Sequence, residues 1–326
     1  MKRTVHAIVA AGSAALLVLP PAAAADDSYP SQPIRIVVGF SAGSTTDILA
    51  RAVAAKLHEA WGQSAVVENR PGAAGIVAGQ ALLGAPTDGH TLIVVSAGHA
   101  VSAVLYSKKL PYDTERDFSG VTLLATVPSI LVVPMNSNIN SVQELLAAVR
   151  AKPGAYNYST PGIGSANHLA GAYFTSLAGL DVQQVAYKGI PQALQAAMTG
   201  EALYNFSPVV NVLPAAKGGK VRALAASTTR RSSAMPDLPT VAEAGLAGYA
   251  FDPWFGLLAS SKTPRPVIAK LNREVQRILA LPDVNKQLMS MGAEPSPMSP
   301  EALDALVRDE IRKFSKIVRE ANIQVE

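Results

Sequence analysis

The chain has 326 residues, 49% of them hydrophobic and 16% charged, with 28 lysines and arginines against 24 acidic residues. That length and apolar content suit two globular domains and exclude a disordered chain, and the scattered basic residues leave no stripe of the kind nucleic acid requires. The absence of cysteine excludes disulfides, anchoring through a lipidated N-terminal cysteine, and any cysteine-based zinc or iron–sulfur centre.

Lys2 and Arg3, the apolar run Ala7 to Leu19, Pro20-Pro21 and Ala22 to Ala25 match the three parts of a secretory signal peptide, so residues 1–25 are expected to be removed after Ala24 or Ala25. The apolar run is shorter than the roughly 18 to 20 residues that cross a bilayer. Without Lys2 and Arg3 the formal charge falls from +4 to +2. A freely diffusing, monomeric periplasmic protein is expected.

From Ile34 the pattern reads as strand, tight loop and helix: Ile34 to Val38, then Gly39-Phe40-Ser41-Ala42-Gly43-Ser44-Thr45-Thr46-Asp47, then a helix carrying Leu49, Ala52, Val53 and Leu57 and ended by Gly62. A strand Ala65 to Asn69, a glycine-rich turn, a helix Ile76 to Leu83 and a strand Thr91 to Val95 complete a βαβαβ unit. Val121 to Val133 is an extended passage broken only by Pro128. Ser141 opens a capped helix to Arg150, and a second strand, glycine-rich loop and helix follow: Tyr156 to Ser159, Thr160 to Ser165, and Ala166 to Ala178. Strand Val182 to Ala186, helix Pro191 to Met198, strand Leu203 to Phe206, a short helix Val209 to Ala216 and strand Val221 to Ala226 continue the alternation. The tail is a strand Phe251 to Ala259 and three helices, Pro264 to Ala280, Asp283 to Met291 and Pro300 to Glu320, with no later strand. The prediction is an α/β fold of two domains, each a mainly parallel sheet flanked by helices, with two hinge crossings near Pro128 and Pro253. Domain I takes 26–128 plus 254–326, and domain II takes 129–253.

In such sheets ligands sit at the carboxyl ends of the strands, where Ser41 to Ser44, Asn69 to Gly72 and Ser96 to Gly98 fall. The first loop is a natural anion site: small side chains expose backbone N–H groups at a helix start. Phe40, Ser41, Ala42, Gly43, Ser44, Thr45 and Ser96 are the candidates there, and Asp47 would hold the loop's shape. Thr160, Gly162, Gly164, Ser165 and His168 form the second anion-reading loop. The dinucleotide reading of Gly162-Ile163-Gly164 fails because Asn167 stands where a third glycine belongs. Gly39-Phe40-Ser41-Ala42-Gly43 also matches a nucleophile elbow, which leaves a secreted serine hydrolase using Ser41 as the alternative, although no histidine follows His168. No metal-ligand spacing or cofactor motif stands out, and Trp254-Phe255 are read as packing residues.

Together Phe40 to Arg51, Val67-Glu68-Asn69-Arg70-Pro71-Gly72-Ala73-Ala74-Gly75, Asp88-Gly89-His90-Thr91-Leu92, Tyr158-Ser159-Thr160-Pro161-Gly162, His168-Leu169-Ala170, Tyr187-Lys188-Gly189 and Trp254-Phe255-Gly256-Leu257 resemble the Bug receptors, the solute-binding proteins of tripartite tricarboxylate transporters. The resemblance implies a periplasmic two-domain trap, of the type II-like binding-protein fold, that closes on a small organic acid and delivers it to a two-subunit inner-membrane permease. A receptor that reports instead to a sensor kinase is the other reading. The resemblance also implies that both loops hold a carboxylate chiefly through backbone amides. Ser44 replaces a common glycine, and Leu203 and Ser207 replace frequent aspartates, so Tyr204, Phe206 and Ser207 are expected to line a less acidic cleft that would accept an uncharged or aromatic distal group.

Overall fold

The computed structural model describes residues 29–162, 165–187 and 189–320. The leader assignment, residues 1–25, and Gly164 lie outside them. The order is β1 (Ile34–Val38), α1 (Thr45–Trp61), β2 (Ala65–Asn69), α2 (Ile76–Leu83), β3 (Thr91–Ser96), α3 (Gly98–Leu105), β4 (Phe118–Thr126), β5 (Ser129–Pro134), α4 (Val142–Ala151), β6 (Asn157–Thr160), α5 (Ala166–Ala178), β7 (Gln183–Ala186), α6 (Ile190–Thr199), β8 (Tyr204–Pro208), α7 (Val209–Lys217), β9 (Val221–Ala226), β10 (Trp254–Ser260), α8 (Arg265–Leu279), α9 (Pro282–Ser290), β11 (Glu294–Pro295) and α10 (Pro300–Glu320).

These strands form two sheets, ordered β11-β4-β10-β3-β1-β2 and β7-β6-β8-β5-β9. Each is mixed. Parallel pairing is confined to β2-β1-β3 and β7-β6-β8, while β10 runs antiparallel between β3 and β4, and β5 antiparallel between β8 and β9. The returning strands explain this: each sheet receives a strand from a chain arriving from the other sheet, and that strand enters head to tail. β1 and β3 are rich in β-branched residues because helices cover both faces, leaving Ile36, Val37 and Val38 without exposure, while the half-buried Arg35 pairs with Glu68.

The passage Val121 to Val133 is two strands in different sheets, β4 and β5, joined through Val127 and Pro128. The chain returns at Trp254, and the two crossing segments are tied by Val127 N–H donating to Pro253 O at 2.9 Å. Ser227 stands beside them, its hydroxyl donating to Phe251 O at 2.8 Å and accepting from Ser129 N–H at 3.3 Å.

Two elements depart from the sequence reading. α3 was not anticipated: it begins at Ala97 without a side-chain cap, so its start carries no sequence signal. A two-residue strand, β11, also lies between the last two helices and pairs with Thr126 and Ala125 of β4, a length too short for any periodicity to register.

α8 buries Ile268, Leu271, Val275, Ile278 and Leu279 against β4 and α1. Its Asn272 amide donates to Val121 O and Met298 O, at 2.7 and 2.9 Å, pinning the helix to the sheet edge. α10 turns Leu303, Val307, Phe314 and Ile317 inward against β4, α3 and α5, so one apolar cluster runs from the first sheet to the second. Truncating one of these buried leucines would cost about 2 to 5 kcal/mol. Trp254 is buried in that cluster, as its packing role predicts.

Candidate functional site

The first loop leaves the carboxyl end of β1. Gly39 there is obligatory: a Cβ would lie 2.6 Å from the Gly75 Cα, so β1 and the turn before α2 meet backbone to backbone. Ser44 caps α1, accepting from Asp47 N–H at 3.4 Å, and Gly43 takes φ +81° with open space where a side chain would point. Ser41, Ala42, Gly43 and Thr45 are exposed, and Phe40 and Ser44 are half-buried.

Asp47 organises this loop. Its buried carboxylate accepts from Gly43 N–H at 2.9 Å, from Asn69 Nδ2 at 2.9 Å and from Arg51 Nε at 3.0 Å, while Asn69 Nδ2 also donates to Phe40 O at 3.0 Å. Burial alone would raise its pKa, but the Arg51 guanidinium, the Gly43 amide and the Asn69 amide together hold it below the ordinary value. The same bonds redistribute the donors expected of the loop. Gly43 N–H serves Asp47, and Ser44 N–H serves Ser41 O at 3.1 Å. The N–H groups of Ser41, Ala42, Thr45 and Thr46 keep no acceptor among the described residues, and two of these open α1.

Among the described residues, neither arginine at this loop is free for an anion. Arg51 is committed to Asp47 and to Asn69 Oδ1 at 3.1 Å, and Arg70 pairs with Glu68 at 2.6 Å. Ser96 ends β3 beside the loop, its hydroxyl accepting from Gly98 N–H at 3.3 Å, and the next residue's N–H donates to Trp254 O at 3.0 Å, joining the site floor to the crossing strand. Beneath Gly39, Phe40 and Ser96 a cavity reaches His99, Ser102 and Tyr112, and the buried His99 Nε2 and Ser102 Oγ meet no protein partner. Burial lowers the His99 pKa to about 4, so its ring is neutral.

The second loop leaves the carboxyl end of β6. Ser165 caps α5, accepting from His168 N–H at 3.1 Å and donating to Gly162 O at 2.7 Å, and Gly162 takes φ +129° with nothing near its missing Cβ. His168 is buried in the first turn, where burial lowers its pKa to about 4 and keeps it neutral. Asn167 Nδ2 donates to Phe206 O at 2.7 Å and fixes α5 to β8.

Four side chains expected at the ligand are occupied elsewhere. Thr160 is fully buried with its hydroxyl accepting from Gln184 Nε2 at 2.6 Å. Ser207 is buried and donates to Asn205 Oδ1, within a relay running through Ser159 to Ala193 O. Tyr204 and Phe206, expected to line the cleft, are instead core residues: Tyr204 stacks on Tyr158 at 5.2 Å and shares a 2.8 Å hydrogen bond with Thr175, and Phe206 packs on Phe174 and Tyr249. Strand alternation sends residues 204 and 206 to one face and 205 and 207 to the other, and helices cover both. Asn69, Thr46 and Arg51, absent from the candidate set, contribute to the first loop's frame. The signal was available for Asn69, which lies opposite Val38 at the shared end of the parallel pair. Ser41 makes no side-chain hydrogen bond, so no base activates it as a nucleophile among the described residues. No described histidine and carboxylate group could hold a metal.

Comparison with known proteins gives the site a context. A family model described as tripartite tricarboxylate transporter family receptor matches residues 49–323. A UPF0065 protein from the tcbD-tcbE intergenic region of a Pseudomonas species is 36% identical, over 90% of this chain and 88% of its own. Protein BugT of Bordetella pertussis is 31% identical, over 92% of each chain. Among solved structures, R. palustris Rpa4515 with adipate is 33% identical with a TM-score of 0.78, covering 91% of this chain and 99% of that one. MatC (Rpa3494) from Rhodopseudomonas palustris with bound malate is 34% identical with a TM-score of 0.74, covering 89% of this chain and all of that one. The family is one of transporter receptors, not enzymes, and the two structural relatives hold small acids, adipate and malate.

Proposed function

Because the chain belongs to the tripartite tricarboxylate transporter receptor family, we propose that it is a periplasmic solute-binding protein, exported by the leader 1–25, that captures a small mono- or dicarboxylate between two hinged domains. The domains are 26–128 plus 254–326, and 129–253, and the loaded form delivers its acid to a two-subunit inner-membrane permease. The observation that carries this reading is the cluster of acceptor-free N–H groups at Ser41, Ala42, Thr45 and Thr46, with both nearby arginines already committed. Such a cluster receives a carboxylate and offers nothing to a cation. The adipate and malate of the two structural relatives support the ligand class. With Tyr204 and Phe206 in the core, the reading favours an aliphatic acid over one stacked on those rings.

Charge-assisted hydrogen bonds of roughly 1.5 to 3 kcal/mol each, with up to about 2 kcal/mol from the helix start, reach the about 8 kcal/mol of micromolar binding once three amides engage. A thermal-shift screen of aliphatic, hydroxylated and aromatic acids tests it. Acid at about 100 times its Kd adds roughly 2.7 kcal/mol of stability. Stabilisation by amines or neutral sugars with no response to any acid would refute the assignment. Mass spectrometry of the exported protein checks the leader: the mature chain should begin at Ala25 or Asp26.

A further inference from the structure

The two units touch at a place remote from both loops. Glu294 of β11 belongs to the first sheet, and its Oε1 accepts from Ser233 N–H and Ser233 Oγ, each at 2.8 Å, and from Ser232 Oγ at 3.4 Å. Both serines follow β9 of the second sheet. Two residues earlier, Gly292 lies so close to the start of α7 that a Cβ would overlap the Val209 methyl Cγ1.

Strand order says which side of the hinge this is. In the first sheet β11 lies outside β4, with the crossing strands β4 and β10 between it and β1, which carries the first loop. In the second sheet β9 is likewise the outermost strand, with β5 and β8 between it and β6, which carries the second loop. Loops and contact therefore sit on opposite arms of one lever whose fulcrum is the pair of crossing segments. A crevice of about 460 Å³, lined from both units by Thr126, Thr229, Asp252, Trp254 and Glu294, lies beside the contact and leaves room for the arms to move. Resting on the hinged-trap reading above, the geometry points to Glu294 as a residue that sets ligand affinity from behind the hinge: its bonds to Ser232 and Ser233 hold the arms as they stand in this structure and break as the loops close. Each ligand-binding event then works against that contact, and removing it tightens binding.

The chain has no cysteine, so Val77→Cys beside the carboxyl end of β2 and Gln192→Cys beside that of β7 can carry spin labels at exposed positions on the two arms. Pulsed electron paramagnetic resonance reads their separation with and without the acid that gives the largest thermal shift in a panel built on malate and adipate. The expected result is that Glu294→Ala, without ligand, moves the distribution toward the short separation that the acid produces in the wild type, and lowers Kd about fivefold or more. Ser233→Ala, which keeps the backbone donor, should do the same to a smaller extent. Weaker binding by Glu294→Ala, or separations and affinity equal to wild type while the wild type itself closes, overturns the latch alone. A wild type whose separations ignore every acid in the panel defeats the trap, and the latch with it.

Discussion

Asp47→Ala should unfasten the first loop, and its cost can be worked from the bonds lost. Gly43 N–H and Asn69 Nδ2 each give up a charge-assisted bond of roughly 1.5 to 3 kcal/mol, whereas Arg51, half exposed, regains water and forfeits little. Gly43 is exposed and also finds water, which places the net near the lower end, about 3 kcal/mol. For a protein of this size that is a fall in Tm of roughly 4 to 6 °C by calorimetry. Affinity should fall at least about tenfold, since Gly43 N–H and Phe40 O no longer share one anchor and the neighbouring amides lose their common direction. The effect has a pH signature. The folded carboxyl titrates below its ordinary value of 3.8, so its contribution is complete above the unfolded pKa and is lost as pH falls through the folded one. The Tm gap between wild type and Asp47→Ala must therefore be widest near neutrality and narrow below about pH 4. A variant that melts within about a degree of wild type at pH 7 and binds acid equally well would refute the claim that this carboxylate shapes the site.

Gly39→Ala should destabilise by roughly 1 to 3 kcal/mol and weaken acid binding, because its Cβ meets the Gly75 backbone, which cannot rotate away. Denaturant midpoints and calorimetric titration read both. Arg70→Ala should leave Kd within about twofold, its guanidinium being held by Glu68, while Gly43→Val, at φ +81° and facing open space, should abolish measurable binding. His99 is buried neutral with a pKa near 4, so the unfolded chain takes up the proton first and stability falls as pH drops from 6.5 toward 4. His99→Phe should flatten that limb of the Tm profile, and the wild-type imidazole resonance should not titrate between about pH 8 and 5.

Much of this was legible in local chemistry. Ser44 announces its helix because a hydroxyl before an apolar periodic run has one good use, and it is the cap; Ser165, read only as a loop residue, caps α5 in the same way. The strands around the first loop were legible because burial on both faces demands apolar runs such as Ile36 to Val38 and Leu92 to Val95. What stayed hidden depends on partners far away in the chain. Nothing near Thr160 says that Gln184 will occupy its hydroxyl, and nothing in Tyr204 to Ser207 says that helices will cover both faces of β8. Asp47 was legible as a loop-shaping group but not as the acceptor that withdraws Gly43 N–H from the ligand, because that depends on a φ of +81°. The antiparallel insertion of β10 carries no mark in its own residues, since a buried strand looks alike in either direction.

That insertion bears on the order in which the protein can be built. β5 to β9 come from one uninterrupted stretch, 129–226, so the second sheet can form as soon as those residues exist. The first sheet cannot. Until residues 254–260 arrive, β3 and β4 have no strand between them, and each presents an unpaired backbone edge flanked by the apolar side chains of Ile93, Val95, Val121 and Leu123. Exposed edges of this kind invite pairing with other chains. During synthesis the half of the molecule that begins first is finished last, and its vulnerable interval lasts for the whole time the ribosome spends on the other half.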